Sequence, residues 1–299
     1  MAVRLIYKPT LISSLISFLL GISFPFHFSA NKTPLATIFA NEQPTFTPVF
    51  SDVVNSLEPS ASSILQELIE TQAQQKEAEK LAQLRSGFIP PQYRSKTLEK
   101  VQLPKEKKVI ALTFDDGPWP EYTNHILYVL EKHNIQATFF ILGQNAQNYP
   151  NLLKQIVRKG HALGNHTWSH PYRYQTPASA AKQIDRTDEV IYNLTGIKTS
   201  LFRPPGGFLN NGLASYAHQK GYAVIMWSAD SQDYRSSKNV LLKNLLYQTD
   251  SGGILLMHDG GGNRWHTLVA LPYLIEELKK QGYRFVTVPE LLMMGANIQ

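Results

Sequence analysis

The chain has 299 residues, 43% of them hydrophobic, so it is long enough for one large folded domain plus an appendage, with the composition of a globular protein. Its formal net charge is +6, yet no basic stripe interleaved with aromatics runs along it, which argues against nucleic acid as a partner. Cysteine is absent, which excludes disulfides, thiolate nucleophiles and thiolate metal sites together, so any metal must be held by His, Asp or Glu.

Residues 1–30 carry Arg4 and Lys8 ahead of an apolar run from Leu11 to about Phe28, the pattern of a signal peptide or membrane anchor. Gly21 and Pro25 interrupt the run and the small-residue cleavage pattern after it is poor, so both forms stand. Either form implies export to the periplasm, the cell wall or the medium, with membrane attachment through this segment in the second case. Residues 31–105 read as a linker. Up to about Val54 it is rich in Thr, Pro, Ser and Phe without periodicity and is expected to be an extended tether. Between Pro59 and Leu84 a thin apolar stripe among Gln, Glu and Lys predicts a helix, closed by Gly87, Pro90 and Pro91.

Residues 106–299 change character. Short apolar runs alternate with helical patterns, predicting an α/β domain with strands at Val109–Phe114, Ala137–Leu142, Ala162–Gly164, Leu201–Arg203, Ala223–Trp227, Gly253–Met257 and Arg284–Val288. Helical spacing between them, as at Ile184, Thr187, Ile191 and Leu194, ends at glycines suited to a C-cap, Gly196 and Gly282. The alternation fits either an open doubly wound sheet or a barrel short of eight units. Both place ligands beyond the C-terminal ends of parallel strands.

Polar clusters stand at those ends. Asp115 and Asp116 follow the first strand; as neighbours on a strand they point to opposite sides and can take different work, although Asp-Gly-Pro is also ordinary turn chemistry. His166 and His170 follow the third, four apart, a spacing that on one helical turn would let both bind a single ion. Arg203 follows the fourth and Asp230 to Tyr234 the fifth, and His258 ends the sixth ahead of Gly260–Gly262, a run without the Lys of a phosphate loop and read as a turn. Singly, the His pair reads equally as a surface coincidence, Arg203 as a structural salt bridge and His258 as a structural histidine. Together, Asp116, His166 and His170 offer one carboxylate and two imidazoles, a set that suits hydrolysis by a divalent metal and also the non-haem iron oxygenases. No Glu lies between the His residues, which disfavours a zinc protease. A second Asp and a distant His are what amide hydrolysis adds, a base for water and an acid for the leaving amine.

These residues, in order and spacing, resemble the polysaccharide deacetylases, the NodB homology domain of carbohydrate esterase family four, over roughly 107–292. The motifs are Thr113-Phe114-Asp115-Asp116-Gly117-Pro118, His166-Thr167-Trp168-Ser169-His170, Arg203-Pro204-Pro205-Gly206-Gly207, Asp230-Ser231-Gln232-Asp233-Tyr234 and Leu255-Leu256-Met257-His258-Asp259. The resemblance implies an irregular (β/α) barrel with about seven parallel strands, in keeping with the alternation. It also implies Asp115 as general base paired with Arg203, with Asp116, His166 and His170 holding a divalent metal, usually zinc. His258 would be the general acid, Asp233 the acidic residue that tunes the Arg203 or the His258 position, and a backbone N–H near Gly206 would receive the developing oxyanion in a pocket with Pro205, Tyr234 and Leu256. Gly206 replaces a common Tyr, which removes a pocket wall, and Tyr234 replaces a common Trp. The implied activity is metal-dependent removal of N-acetyl groups from N-acetylglucosamine units of peptidoglycan, chitin or a related glycan, with no protein partner expected. Alternatives are O-acetyl xylan esterase action, hydrolysis of a small non-sugar amide, or a non-catalytic glycan-binding role in the cell envelope. Trp119, Tyr172, Phe208 and Trp265 are candidates for stacking on sugar rings.

Overall fold

The computed structural model describes residues 59–298; the expected signal or anchor at 1–30 and the tether after it lie outside the described residues. The chain divides into two compact units, Met1–Glu67 and Leu68–Gln299, and the second contains the sheet and every residue of the site. A helix, α1 (Pro59–Ser86), stands where the linker helix is expected. Among the described residues no helix is long and apolar enough to cross a membrane.

In chain order the strands are β1 (Thr97–Leu98), β2 (Val109–Asp115), β3 (Thr138–Ile141), β4 (Ala162–Asn165), β5 (Leu201–Phe202), β6 (Ala223–Ile225), β7 (Ala229–Asp230), β8 (Ile254–His258) and β9 (Arg284–Val286). They form one sheet in the order β1-β6-β5-β4-β3-β2-β8-β7, with β9 beside the first half of β2, and all the strand pairings are parallel. From β2 to β6 the neighbours follow chain order. That is the winding of a barrel, without the reversal of a doubly wound sheet, and the fold is an irregular (β/α) barrel. The connections hold α2 (Pro120–Lys132), α3 (Gly143–Asn148), α4 (Pro150–Arg158), α5 (Pro177–Thr195), α6 (Leu213–Gln219), α7 (Lys238–Gln248) and α8 (Trp265–Lys280), and α9 (Val288–Ala296) follows the last strand.

All seven expected strands are present. Two short ones were not anticipated. β1 pairs with β6, so the sheet takes in residues N-terminal to the expected domain start at 106, and β7 is split from β6 by three residues that leave the sheet. Neither two-residue strand is long enough to show an alternation.

The seven residues of β2 are all buried, as a central parallel strand requires, and alternation sorts them. Ile110, Leu112 and Phe114 face the layer of helices, where they join α2 and α8 in one core. Val109 and Ala111 face the barrel interior with Phe140, Ile225 and Ile254, closed off by Val288, Leu291 and Leu292 of α9. Thr113 and Asp115 continue that interior face toward the C-terminal rim, so the carboxylate stands on a dry apolar floor. Phe139 of β3 stacks on Phe114 with centroids 5.1 Å apart and is completely buried. Phe139→Ala is expected to cost about 3–5 kcal/mol, read as a lowered urea midpoint at unchanged m-value.

Candidate active site

Strand register brings the expected residues to one rim. Asp115 lies opposite His258 across the β2–β8 pairing, and the Asp259 N–H donates to the Asp115 carbonyl at 3.0 Å. Asn165 lies opposite Phe202 across β4–β5, which sets His166 beside Arg203. The Asp115 carboxylate accepts from Arg203 Nη1 at 2.7 Å. Arg203 is fully buried, and three further hydrogen bonds hold it: Nη1 also donates to Thr113 Oγ1 at 2.8 Å, Nε to the Ile225 carbonyl at 2.9 Å and Nη2 to the Met226 carbonyl at 3.0 Å. Its plane rests 4.0 Å over the Phe140 ring. A guanidinium so tightly held fixes the carboxylate that it pairs with.

Asp116 follows with φ +76°, in the left-handed region, and its side chain departs from that of Asp115. Asp116 Oδ1 is 3.5 Å from His166 Nε2 and 3.4 Å from His170 Nε2. One ligand atom from each of the three residues lies within 4.8 Å of the others, and Asp116 Oδ1 is a buried oxygen with no hydrogen-bond partner. His166 Nδ1–H donates to the Arg203 carbonyl at 2.8 Å, which turns Nε2 toward Asp116. Burial works to raise the Asp116 carboxyl, but His166, His258 and His170 outweigh it and hold the group below the ordinary carboxylate range. Burial and the neighbouring His166 push His170 down to about 4, so its ring is neutral at pH 7. An orphaned carboxylate oxygen facing two imidazole nitrogens fits a divalent cation.

The His pair is not on a helix. Residues 166–170 form a loop in which Thr167 and His170 take φ +75° and +58°, and the two rings converge because the loop turns back on itself. Gln183 of α5 braces it, its Oε1 accepting from the Trp168 and Ser169 N–H groups at 3.0 Å each. Thr167 Oγ1 accepts from the His170 N–H at 3.1 Å. Helical spacing was the wrong reason for a convergence that side-chain bonds enforce.

Across the rim, Asp233 receives His258 twice, through ring Nδ1 at 2.6 Å and backbone N–H at 2.8 Å, and Thr267 Oγ1 donates to it at 2.7 Å. Burial opposes a charge on His258, but Asp233 outweighs it and lifts the imidazole to about 9. The partner of Asp233 is therefore His258; Arg203 belongs to Asp115. Tyr234 meets His258 edge-on at 6.0 Å, and Leu256 is buried in β8 between Thr113 and Asp230.

A family model described as polysaccharide deacetylase matches residues 102–225. A peptidoglycan-N-acetylglucosamine deacetylase of Bacillus cereus is 39% identical over 194 residues, 64% of this chain and 91% of that protein. The chain belongs to the polysaccharide deacetylase family. Among solved structures, the Bc1960 peptidoglycan N-acetylglucosamine deacetylase aligns with TM-score 0.62 at 35% identity, covering 67% of this chain and 94% of that one. The wild-type BA3943 protein of Bacillus anthracis, described as a pseudoenzyme of carbohydrate esterase family four, aligns with TM-score 0.60 at 30% identity, covering 66% and 68%.

In this deacetylase the turn of the third motif departs from expectation. Pro205 is buried at the start of a 3-10 turn and Gly206 takes φ +60°. The wall expected to be missing at Gly206 is supplied from elsewhere: a Cβ there would lie 2.9 Å from the Tyr172 ring and 3.0 Å from that of Phe208. Arg264 escaped the sequence reading because its signal lay in glycines read as a turn, and Asp259 stood in the fifth motif without a role. Arg264 is buried, donates from Nε to the Gly260 carbonyl at 2.6 Å and from Nη2 to that of Gly261 at 3.1 Å, and stands 3.9 Å from Asp116 Oδ2. A Cβ on Gly261 would fall 2.3 Å from that same carboxylate oxygen, so the glycine permits the approach. Asp259 is fully buried, accepts from Thr123 Oγ1 at 2.5 Å, and is pushed up to about 7, chiefly by burial.

In metal-free protein the His258 ring resonances are expected to titrate with a midpoint of about 9, from the ordinary 6.5, and Asp233→Asn should move that midpoint down by at least about one unit. Because the folded pKa is raised, the stability contributed by this pair is complete below about 6.5 and is lost as pH rises through about 9. Gln183→Ala, which releases the 166–170 loop, is expected to weaken divalent-metal binding by about tenfold in a chelator-competition titration.

Proposed function

We propose that the chain is an exported N-deacetylase that depends on a divalent metal, zinc in this reading, and removes acetyl groups from N-acetylglucosamine units of peptidoglycan or a related glycan such as chitin. The observation that carries it is the separation of two adjacent carboxylates, Asp116 facing His166 and His170 and Asp115 held by Arg203, with a charged His258 across the same rim. The names of the relatives support the glycan, and the apolar run in residues 1–30 supports export.

An ion held by Asp116, His166 and His170 supplies Lewis acidity, polarising a carbonyl and acidifying water. The protein does the rest. Asp115, locked at one oxygen by Arg203, presents Oδ2 toward His166 and takes the proton of the attacking water. The hydroxyl adds to the acetamide carbon, and a backbone N–H at Gly206 receives the charge that develops on oxygen. His258, protonated at neutral pH and held at Nδ1 by Asp233, delivers its Nε2 proton to the sugar nitrogen as the C–N bond breaks, leaving acetate and a free amine. The acid and base are held apart in protonation state by different neighbours, the arrangement that general acid–base hydrolysis at pH 7 needs.

Metal-loaded protein is expected to release acetate from N-acetylglucosamine oligomers or peptidoglycan, to stop after chelation and to recover on adding zinc. Asp115→Asn should lower kcat by at least about 100-fold while metal content stays unchanged. No acetate from any acetylated glycan, xylan included, would defeat the reading.

A further inference from the structure

The four aromatic residues singled out as candidates for sugar contact do not stand alike. Trp119 meets Tyr149 edge-on at 6.3 Å and is about a third exposed, while Trp265 is exposed at the start of α8. Tyr172 and Phe208 form a unit. Their rings are perpendicular, 90° apart with centroids at 5.9 Å, and they remain 60% and 51% exposed. Tyr172 also lies edge-on to His170 at 4.9 Å and 87°, so the corner begins directly on a residue of the metal-ligating group. Both rings close on Gly206, the backbone position assigned to the oxyanion, where a Cβ would meet each of them within about 3 Å.

We infer that Tyr172, Phe208 and the bare Gly206 form one aromatic corner that binds a pyranose ring of the substrate glycan next to the reacting acetamide. The inference rests on the glycan reading above. Two exposed rings from separate loops, after β4 and after β5, gain nothing for folding by leaving their faces in water, and Tyr172 stands against both His170 and the Gly206 position, with Phe208 beside it. The C–H bonds on the face of a pyranose carry slight positive charge, and the faces of aromatic rings are negative, so a right-angled pair offers one face beneath the sugar and one at its side. Gly206 has a second reason to lack a side chain besides its positive φ: a methyl there would drive Tyr172 away from the corner.

The test uses the metal-loaded full chain in two measurements. In the first, binding of the N-acetylglucosamine pentamer to the slow Asp115→Asn protein is followed by calorimetry. Adding Tyr172→Ala or Phe208→Ala is expected to weaken binding by about tenfold each, adding Tyr172→Phe to weaken it by less than about threefold, and Gly206→Ala to weaken it by more when Tyr172 is present than when residue 172 is alanine. In the second, with Asp115 intact, Tyr172→Ala should raise KM for the same pentamer by about tenfold with kcat changed by less than about threefold. Unchanged affinity in both alanine variants would overturn the corner. So would equal effects of Gly206→Ala in the two backgrounds. Pentamer binding that depends on Tyr172 without acetate release by the wild type would instead overturn the deacetylase reading and leave the corner standing.

Discussion

The buried Arg203 guanidinium is the constraint on which the site depends. It joins the interior face of β2, through Thr113 and Asp115, to the end of β6, through the carbonyls of Ile225 and Met226, while its own carbonyl orients His166. A single residue at the end of β5 thus positions both the carboxylate proposed as base and an imidazole of the group that could hold a cation. Such a charge is costly to bury, and the cost is offset because Asp115 neutralises it and neighbouring oxygens take its hydrogens. Removing either partner would leave the other as an uncompensated charge on an apolar floor of Phe140, Ile225 and Ile254, which is why the pair holds its geometry.

From that anchor the rim divides electrically. On one side Asp116 is kept ionised against its burial chiefly by His166, and burial and His166 keep His170 neutral at about 4, an arrangement that could accept a cation. On the other side Asp233 keeps His258 charged at about 9, ready to give up a proton. Two histidines in one cleft are driven in opposite directions because burial and the neighbouring His166 push His170 down, while Asp233 outweighs burial at His258. Arg264 and Asp259 complete the arrangement from the glycine-rich loop beyond β8. The buried cation lies near Asp116, and the buried carboxyl packs so close to Gly117 that a Cβ there would collide with it.

Much of this was legible in the residues themselves. The apolar run from Val109 to Phe114 identified a buried strand, the alternation of runs and helical spacings identified the α/β class, and the two Asp at the strand end were given separate work, although strand alternation does not part them: Asp116 leaves the strand at φ +76°, and both carboxylates approach His166 Nε2, at 3.7 and 3.5 Å. His166 and His170 were paired by their spacing, although a braced loop, not a helical turn, brings their rings together. Those features are local. Each depends on a few consecutive residues and on backbone geometry that the residues carry with them.

What only the tertiary structure decided lies between segments far apart in the chain. Arg203 finds Asp115 across 88 residues and not Asp233, because β5 and β2, which do not pair, both end on the interior of the curled sheet, and His258 finds Asp233 across 25, because β7 runs parallel beside β8. Arg264 was hidden behind glycines whose purpose is close approach to Asp116, a contact that no local pattern displays. The pocket wall that Gly206 lacks is returned by Tyr172 from another loop, since empty space beside a backbone is filled by whatever packing brings there. The sequence by itself determined the chemical types at each strand end and their order; register and packing decided which of them face one another.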